Sequence, residues 1–420
     1  MFKMNKTELK GIVIDQNNRK ESDELIQREI FAKIEPSIKD QLITIISGIR
    51  RCGKSTLLNQ IRKRYSGYYV NFDDDRFINF KVEDFQLLYE TLIELYGEKK
   101  IFYFDEIQNI PSWERFVRRL HDERKKVFVT GSNASMLSKE LGTHLTGRHQ
   151  NIHIFPFSFK EFLSLRNFEA ADSSKLTTIN RAKIKKYFEE YMANGGFPEY
   201  LRELNPNYLK TLYENILYRD IIVRYKLTNE KSLKELVYLS VNSISKEISF
   251  NSIKKSLGLG SATTVKEYFD YLENSFLIFL IPKFDYSLRK QIYYNKKIYC
   301  IDNGLAKYLG FRITADNGKL LENLVFLALK RKNKEIYYFS DKHECDFVLR
   351  KFADIDEVIQ VCFEINEDNR EREIAGLTEA MQKFKLKKGL ILTYDQEEEI
   401  QHEGKKIIIK PVWKWLLEKD

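Results

Sequence analysis

The residues of this chain best suited to chemistry form one short loop. Residues 48–55 fit the spacing Gly-x-x-x-x-Gly-Lys-Ser/Thr. In a loop of this type the glycines allow the backbone to approach phosphate groups, Lys54 reaches the β- and γ-phosphates, and the Ser55 hydroxyl holds Mg²⁺. The candidate phosphate-binding residues are Gly48, Ile49, Arg50, Arg51, Cys52, Gly53, Lys54, Ser55 and Thr56.

The segments on either side of this loop have the composition that a phosphate-binding loop needs. The apolar, β-branched residues 42–46 predict a buried strand, and residues 56–61 predict a helix. The strand delivers the loop, and the helix directs its free N–H groups and the positive end of its dipole toward a phosphate. Because motif and context agree, the sequence favours nucleotide binding over an ordinary turn before a helix.

Two acidic residues follow a second apolar run. Asp105 and Glu106 come directly after residues 101–104, so we expect them at the carboxyl end of a strand, where ligands bind in open α/β sheets. Asp105 is predicted to hold Mg²⁺, and Glu106 is predicted to polarise the attacking water. An acidic pair of this kind suits hydrolysis better than transfer to a phosphoryl acceptor, which disfavours a P-loop kinase.

Two further positions complete the predicted site. Residues 127–129 predict a strand that ends in Thr130, Gly131 and Ser132, and Thr130 or Ser132 would sense the γ-phosphate or position the water. Arg148 would stabilise charge in the transition state, in its own subunit or a neighbour's. If it acts in a neighbour, the active form is a homo-oligomer.

Strand-like and helix-like runs alternate through the first part of the chain. The predicted strands are residues 42–46, 68–72, 101–104, 127–129 and 152–155. This alternation predicts an α/β fold with a parallel sheet and helices on both faces. Residues 159–288 are mostly helical, with a winged-helix pattern at 248–280, and strands return from residue 297. We therefore predict three domains: 1–158, 159–290 and 291–420.

Composition restricts the environment and the partners. The 420 residues are 43% hydrophobic and 31% charged, and no apolar run approaches the ~20 residues that span a bilayer. Because the N-terminus has no apolar leader and the four cysteines have no metal-type spacing, we expect a cytoplasmic protein without a membrane partner. The net charge of +9 is compatible with DNA as a partner, and Lys254, Lys255 and Lys266 are candidate phosphate contacts.

Together these motifs resemble the AAA-type P-loop ATPases of prokaryotes related to the archaeal ATPase group, which pair an AAA domain with a C-terminal domain of unknown function. The similar segments are residues 48–55, 104–108, 130–132, 147–148, 155–158, 195–198, 219–220 and 301–305. The resemblance implies ATP and Mg²⁺ as ligands. It also implies that Asp105 binds the metal, Glu106 activates water, Ser132 acts as sensor and Arg148 acts as arginine finger.

In the order of its polar residues the C-terminal region is similar to the PD-(D/E)xK nuclease fold. Glu322 on a predicted helix and Asp346 on a predicted strand precede Gln360 and Cys362, which take the Glu-x-Lys positions. An amide is a poorer metal ligand than a carboxylate, and a neutral thiol cannot replace an ammonium. The resemblance therefore implies a nuclease-like α/β domain without activity.

The leading hypothesis is an Mg²⁺-dependent ATPase whose nucleotide state moves the helical lid and the C-terminal domain, acting on an unidentified protein partner. The alternative is a nucleotide-gated DNA-binding or signalling switch, in which slow hydrolysis resets a conformation. An ATP-coupled nuclease is a third hypothesis and depends on the weakened site at Gln360 and Cys362.

Overall fold

A computed structural model describes residues 4–19, 26–132, 147–169, 176–310 and 316–418. The chain divides into two compact units, Met1–Phe155 and Pro156–Asp420. The predicted boundary between residues 290 and 291 falls within the second unit, between two strands that pair with each other, Ile278–Pro282 and Lys296–Cys300. The helical region and the strands that follow it therefore share a sheet.

The first unit is built on a five-stranded sheet with the order β2-β3-β4-β1-β5. The strands are β1 (Ile43–Gly48), β2 (Tyr68–Asn71), β3 (Ile101–Asp105), β4 (Lys126–Gly131) and β5 (His149–Ile154). All neighbouring strands are parallel, which confirms the predicted α/β sheet. Strand β5 begins at His149, earlier than predicted, because an edge strand tolerates the polar residues His149, Gln150 and Asn151 that hide its start in the sequence.

Helices cover both faces of this sheet. They are α1 (Lys6–Asn18), α2 (Phe31–Ile34), α3 (Lys54–Arg64), α4 (Phe85–Tyr96) and α5 (Trp113–Asp122). Buried residues of α1, α4 and α5 share one core with one face of the sheet. Helix α3 packs against β1, β3 and β4 through buried residues outside that core, so it covers the other face. The loop that precedes α3 is thereby fixed at the carboxyl end of the central strand β1.

The second unit contains helices throughout, most of them in its first part. They are α6 (Phe159–Leu165), α7 (Thr178–Asn194), α8 (Pro198–Glu203), α9 (Pro206–Asn215), the π-helical segment Ile216–Val223, α10 (Glu230–Asn242), α11 (Phe250–Ser256), α12 (Ala262–Asn274), α13 (Leu288–Tyr293), α14 (Asn303–Leu309), α15 (Asn317–Arg331), α16 (Arg370–Lys383) and α17 (Val412–Leu417). Among the described residues, no helix is both long enough and apolar enough to cross a membrane.

Two sheets complete the second unit. A three-stranded sheet has the order β6-β8-β7 and a six-stranded sheet the order β13-β14-β12-β11-β10-β9. The strands are β6 (Glu247–Ile248), β7 (Ile278–Pro282), β8 (Lys296–Cys300), β9 (Glu335–Ser340), β10 (Glu344–Lys351), β11 (Asp354–Val361), β12 (Lys388–Thr393), β13 (Glu398–His402) and β14 (Lys405–Pro411). The sequence did not predict β13, because this edge strand carries charged residues and lacks an apolar run.

Candidate nucleotide-binding site

The glycine-rich loop lies between β1 and α3, as the sequence predicts. Gly53 precedes α3 with φ +98°, in the left-handed region that favours glycine. A Cβ atom at Gly48 would lie 2.2 Å from the carbonyl oxygen of Ile154, so this position also requires glycine. Helix α3 then begins at Lys54 and directs its first N–H groups toward the loop. This is the geometry of an anion-binding helix N-terminus.

The side chain of Lys54 folds back onto the glycine-rich loop that precedes it. Its side chain is 5% exposed, and Nζ donates to the carbonyl oxygens of Gly48 at 3.1 Å and Ile49 at 3.2 Å. The same Nζ is 3.9 Å from Oε1 of Glu106. The ammonium and the proposed catalytic carboxylate, separated by more than fifty positions in the sequence, are thus neighbours in the fold.

Asp105 ends β3 as a buried carboxylate, 1% exposed. It accepts hydrogen bonds from Thr130 Oγ1 and from the Ser55 side chain. Burial raises the pKa of Asp105, and the Glu106 charge adds to that effect, whereas the hydrogen bonds from Thr130 and Ser55 and the Lys54 charge oppose it. The Ser55 hydroxyl and the Asp105 carboxylate, both predicted to hold Mg²⁺, are therefore hydrogen-bonded neighbours.

Glu106 has an unusual backbone. Its φ is 51°, in the left-handed region, although it is not glycine. The Glu106 N–H donates to Thr130 Oγ1 at 3.0 Å, and the Gln108 side chain donates to Oε2. Strained positions of this kind persist where the surroundings hold them, and they concentrate at functional sites. The carboxylate is consequently held in one orientation beside Lys54.

Of the two candidate sensor residues at the carboxyl end of β4, Thr130 has described hydrogen bonds at the site, and Ser132 has none. Thr130 links the side chain of Asp105 to the backbone of Glu106. Ser132 Oγ is buried and, within the described part of the chain, has no hydrogen-bond partner. A buried hydroxyl without a partner is costly unless something else satisfies it. Ser132 stays a predicted sensor, and Thr130 is a positioning residue for Asp105 and Glu106.

Arg148 is far from the glycine-rich loop of its own subunit. It directly precedes β5, whose His149 pairs with Ile43 at the first residue of β1, whereas the loop follows the last residue of β1. The two ends of β1 are about 16 Å apart at the ~3.3 Å rise of a strand. Arg148 Nη1 instead lies 2.8 Å from Asp122 of α5, with 36% of its side chain exposed. Arg148 therefore lies away from the glycine-rich loop of its own subunit, and its role as an arginine finger, in its own subunit or a neighbour's, stays a prediction.

Arg28 supports the loop and was not predicted from the sequence. Its guanidinium is buried and donates to the carbonyl oxygens of Cys52 and Phe155, each at 2.7 Å. The first of these contacts fixes the backbone of the glycine-rich loop, and the second fixes the segment after β5. Arg28 belongs to no recognisable motif, so the sequence alone did not indicate its contact with the loop.

A second polar cluster lies in the second unit. Glu322 of α15 and Asp346 of β10 come together, as the nuclease resemblance implies, and Asp346 N–H donates to Gln360 of β11 at 3.2 Å. At the other predicted position, Cys362 is buried, and burial raises the pKa of its thiol to about 11. The thiol is therefore neutral at neutral pH and supplies no cation.

The cation of this cluster is Lys297 of β8, which the sequence did not single out. Its side chain is 1% exposed, and Nζ lies 2.8 Å from Asp346, 3.3 Å from Glu322 and 2.5 Å from Glu344. Burial disfavours the ammonium, but Asp346 and Glu322 outweigh that effect and raise the pKa of Lys297 well above its usual value. Tyr299 donates to Glu322 at 2.7 Å. In the described residues, no group of three His, Cys, Asp or Glu side chains is arranged to hold a metal ion.

Comparison with known proteins gives matches along most of the chain. Residues 40–163 match a family model described as an AAA domain, and residues 185–317 match a domain of unknown function, DUF8612. Uncharacterized protein MJ1544 of Methanocaldococcus jannaschii is 35% identical, covering 97% of this chain and 94% of that protein. An uncharacterized protein of Haemophilus influenzae is 30% identical, covering 94% of this chain and all of that protein.

Solved structures give weaker likenesses. The chain is similar to the ADP form of the Aeropyrum pernix ORC2 protein, with a TM-score of 0.35 and 13% identity over 63% of this chain and 89% of that one. It is also similar to the Thermotoga maritima RuvB Holliday junction branch migration motor, with a TM-score of 0.28 and 14% identity over 68% of this chain and 99% of that one.

The parallel sheet, the glycine-rich loop and the AAA-domain match define a P-loop nucleotide-binding protein of the AAA type. The sequence identity and the coverage of the two relatives define the family of the chain. It belongs to the same family as MJ1544 of Methanocaldococcus jannaschii and the Haemophilus influenzae protein. The nuclease resemblance of the C-terminal region receives no support from these matches, since DUF8612 has no known function and its match ends at residue 317, before Glu322, Asp346, Gln360 and Cys362.

Proposed function

We propose that this protein binds ATP together with Mg²⁺ and hydrolyses the γ-phosphate, and that hydrolysis changes the conformation of the helical lid and the C-terminal region. One observation carries the proposal. Lys54, Ser55, Asp105 and Glu106, which come from two separate motifs, converge beside a glycine-rich loop at the carboxyl edge of a parallel sheet.

The residues present fit magnesium and a triphosphate. Mg²⁺ takes oxygen ligands and is bound by one or two protein groups together with substrate phosphates, and the hydrogen-bonded pair of Ser55 and Asp105 offers such groups. Gly48 lets the start of the loop pass close to the carbonyl oxygen of Ile154, which a Cβ atom would meet at 2.2 Å. When bound, Mg²⁺ would neutralise charge on the transferring phosphoryl group.

The side chains then divide the work of hydrolysis. Lys54 would exchange its bonds to the loop carbonyls for phosphate oxygens, because an ammonium has no acceptor capacity and its three donors favour anions. Glu106 would orient the attacking water and accept its proton. Thr130 would hold the Asp105 side chain and the Glu106 backbone in position through its two hydrogen bonds.

Turnover measured with and without magnesium tests the proposal. We expect the purified full chain to release inorganic phosphate from ATP with Mg²⁺ present, and release to fall to background after EDTA and to return when Mg²⁺ is restored. Undiminished release in EDTA, or none with any DNA, RNA or protein partner added, would contradict the proposed activity.

Turnover measured with added DNA, RNA or protein also distinguishes the two leading functional hypotheses. A strong increase in turnover on adding DNA would favour a nucleotide-gated DNA-binding protein, which is the second candidate. A response to protein partners alone would favour a signalling switch. The DNA-binding candidate is favoured by a groove in the second unit that Lys266, Arg289 and Lys290 line. An ATP-coupled nuclease is disfavoured because Lys297 already neutralises the carboxylates at the predicted nuclease positions.

Arg148 is proposed as an arginine finger acting on a neighbouring subunit. Its position at the amino end of the strands separates it from its own loop, and its guanidinium is partly exposed. We expect Lys54→Ala and Arg148→Ala variants each to be inactive alone and to recover part of the turnover when mixed, since one shared site then holds both intact residues. Lys54→Ala mixed with Glu106→Gln is the matched control, because those two residues belong to one subunit's site. No recovery in the first mixture would rule out the shared site.

A further inference from the structure

A groove of about 560 Å³ opens on the second unit, between α11, α12 and the segment that joins β7 to β8 and contains α13. Three cations line it, Lys266 of α12 and Arg289 and Lys290 of α13, and no Asp or Glu is among the described residues that line it. We call this feature the basic groove. It shares no residue with the nucleotide site, so its function requires a separate explanation.

The cations of the basic groove have little to neutralise them within the described chain. Arg289 is exposed and forms no ion pair with any described residue. Lys290 lies 3.6 Å from Asp285 with 61% of its side chain exposed, and exposed pairs of this kind contribute little. Lys266 lies over the Phe250 ring at 5.8 Å. The groove therefore presents a concentrated positive potential that suits a polyanion.

Apolar and aromatic side chains are exposed beside these cations. Within eight residues, Tyr286 is 78% exposed, Leu288 72%, Ile292 68% and Tyr293 88%. Exposed apolar groups at this density mark interaction sites on proteins. Cations interleaved with exposed tyrosines are typical of surfaces that contact nucleic acids, where cations meet phosphates and rings meet sugars or bases.

The elements around the groove have a helix-turn-helix order. Strand β6, helices α11 and α12, and the antiparallel pair β7 and β8 follow one another in a compact three-stranded arrangement. In helix-turn-helix proteins the N-terminal part of the second helix contacts bases in the major groove. The start of α12 exposes Thr263 and Lys266, and the exposed acids Glu267 and Asp270 follow directly. Among the charged residues of α12, Lys266 lines the basic groove, whereas Glu267 and Asp270 do not.

We propose that the basic groove binds the sugar-phosphate backbone of duplex DNA, with the start of α12 at the major groove and α13 beside the backbone. The proposal builds on the DNA-binding candidate above by naming its surface and ligand, and it does not depend on ATP hydrolysis. Duplex DNA fits better than duplex RNA, because the major groove of an A-form helix is too narrow to admit an α-helix. The lysines Lys254 and Lys255 of α11, singled out in the sequence, are not among the described residues that line the groove.

Binding of a fluorescein-labelled DNA duplex of about 20 base pairs, followed by anisotropy without nucleotide, tests this proposal. The full chain is compared with Arg289→Glu/Lys290→Glu. The matched control is Lys351→Glu/Lys387→Glu, which makes the same change in net charge at exposed lysines elsewhere in the unit. At about 0.1 M salt, losing two phosphate contacts corresponds to a weakening on the order of 50-fold and lowers the slope of log K against log salt by about 2.

Because the assay contains no nucleotide, its result does not depend on ATP hydrolysis. We expect the control variant to bind the duplex as the wild type does, and the groove variant to lose both affinity and salt dependence. Equal weakening in groove variant and control, no binding by the wild type at low salt, or preference for duplex RNA or polyglutamate over duplex DNA would each overturn the proposal. Far-UV circular dichroism of each variant checks that it is folded.

Discussion

Glu106→Gln should bind ATP as the wild type does and hydrolyse it about 10²- to 10⁴-fold more slowly, the range that a positioned general base contributes. Glutamine keeps the size of glutamate and its hydrogen bond with Gln108, but its amide cannot accept a proton from water. Losing the carboxylate also leaves Lys54 without its neighbour at 3.9 Å, which frees the ammonium for phosphate. Nucleotide affinity should therefore stay constant or rise.

Lys54→Ala provides the contrasting result. Removing the ammonium takes away the cation that would reach the β- and γ-phosphates, so we expect ATP binding itself to be lost. Equilibrium binding of a fluorescent ATP analogue and steady-state phosphate release distinguish the two variants, and Glu123→Gln, an exposed carboxylate outside the described contacts of the nucleotide site, is the matched control. Wild-type hydrolysis by both Lys54→Ala and Glu106→Gln would refute the assignment of the site.

Lys297→Met should lower the free energy of unfolding of the second unit by about 3–5 kcal/mol, the cost of removing one partner from a buried ion pair. Methionine fills a similar volume, but Asp346 and Glu322 would then face each other without a counter-charge. Denaturant unfolding of the full chain, followed by probes in the second unit, measures the loss. The matched control is Lys351→Met, which removes an exposed lysine.

The pH dependence gives a second signature of the same residue. Neighbouring carboxylates raise the pKa of Lys297 in the folded protein, so its stabilisation is complete below its usual value near 10.5 and is lost only as the pH rises above that. Burial and the Asp346 charge raise the pKa of Glu322, which therefore takes up a proton more readily as the pH falls. We expect the difference between wild type and Lys297→Met to shrink as the pH is lowered.

A double replacement tests whether the loss comes from charge. Lys297→Met combined with Asp346→Asn should recover part of the stability, because Glu322 and Glu344 no longer face the negative charge of Asp346. Equal stabilities of wild type and Lys297→Met would contradict the role assigned to Lys297. So would Mg²⁺-dependent DNA cleavage by the wild type that Asp346→Ala abolishes, since the carboxylates would then be serving a metal rather than Lys297.

Local sequence determined the nucleotide site to a large extent. The phosphate loop depends on residues that are consecutive in the chain, and its flanking strand and helix are set by hydrophobic pattern. Asp105 and Glu106 could be placed because the carboxyl ends of parallel strands meet at one edge. Gly53 is explained by its positive φ, and Gly48 by the close approach of its backbone to the carbonyl oxygen of Ile154.

Contacts between distant segments could not be predicted in this way. Arg28 reaches the loop from before β1, and Lys297 enters its cluster from a strand whose apolar neighbours suggested only a core position. Neither residue lies at a recognisable spacing from its partners, and side-chain packing alone brings them together. The choice of Thr130 as the link between Asp105 and Glu106 depends in the same way on strand register.

The amino-acid sequence by itself determined that the chain has a phosphate-binding loop, a parallel sheet and two acids at its carboxyl edge, because each follows from local pattern. Tertiary structure alone decided that Arg148 lies at the opposite end of β1 from that loop, and that Lys297 supplies the cation among the carboxylates of the second unit. The physical reason is the same in both cases. Hydrophobic periodicity specifies which strands form, whereas their order and register specify which side chains meet.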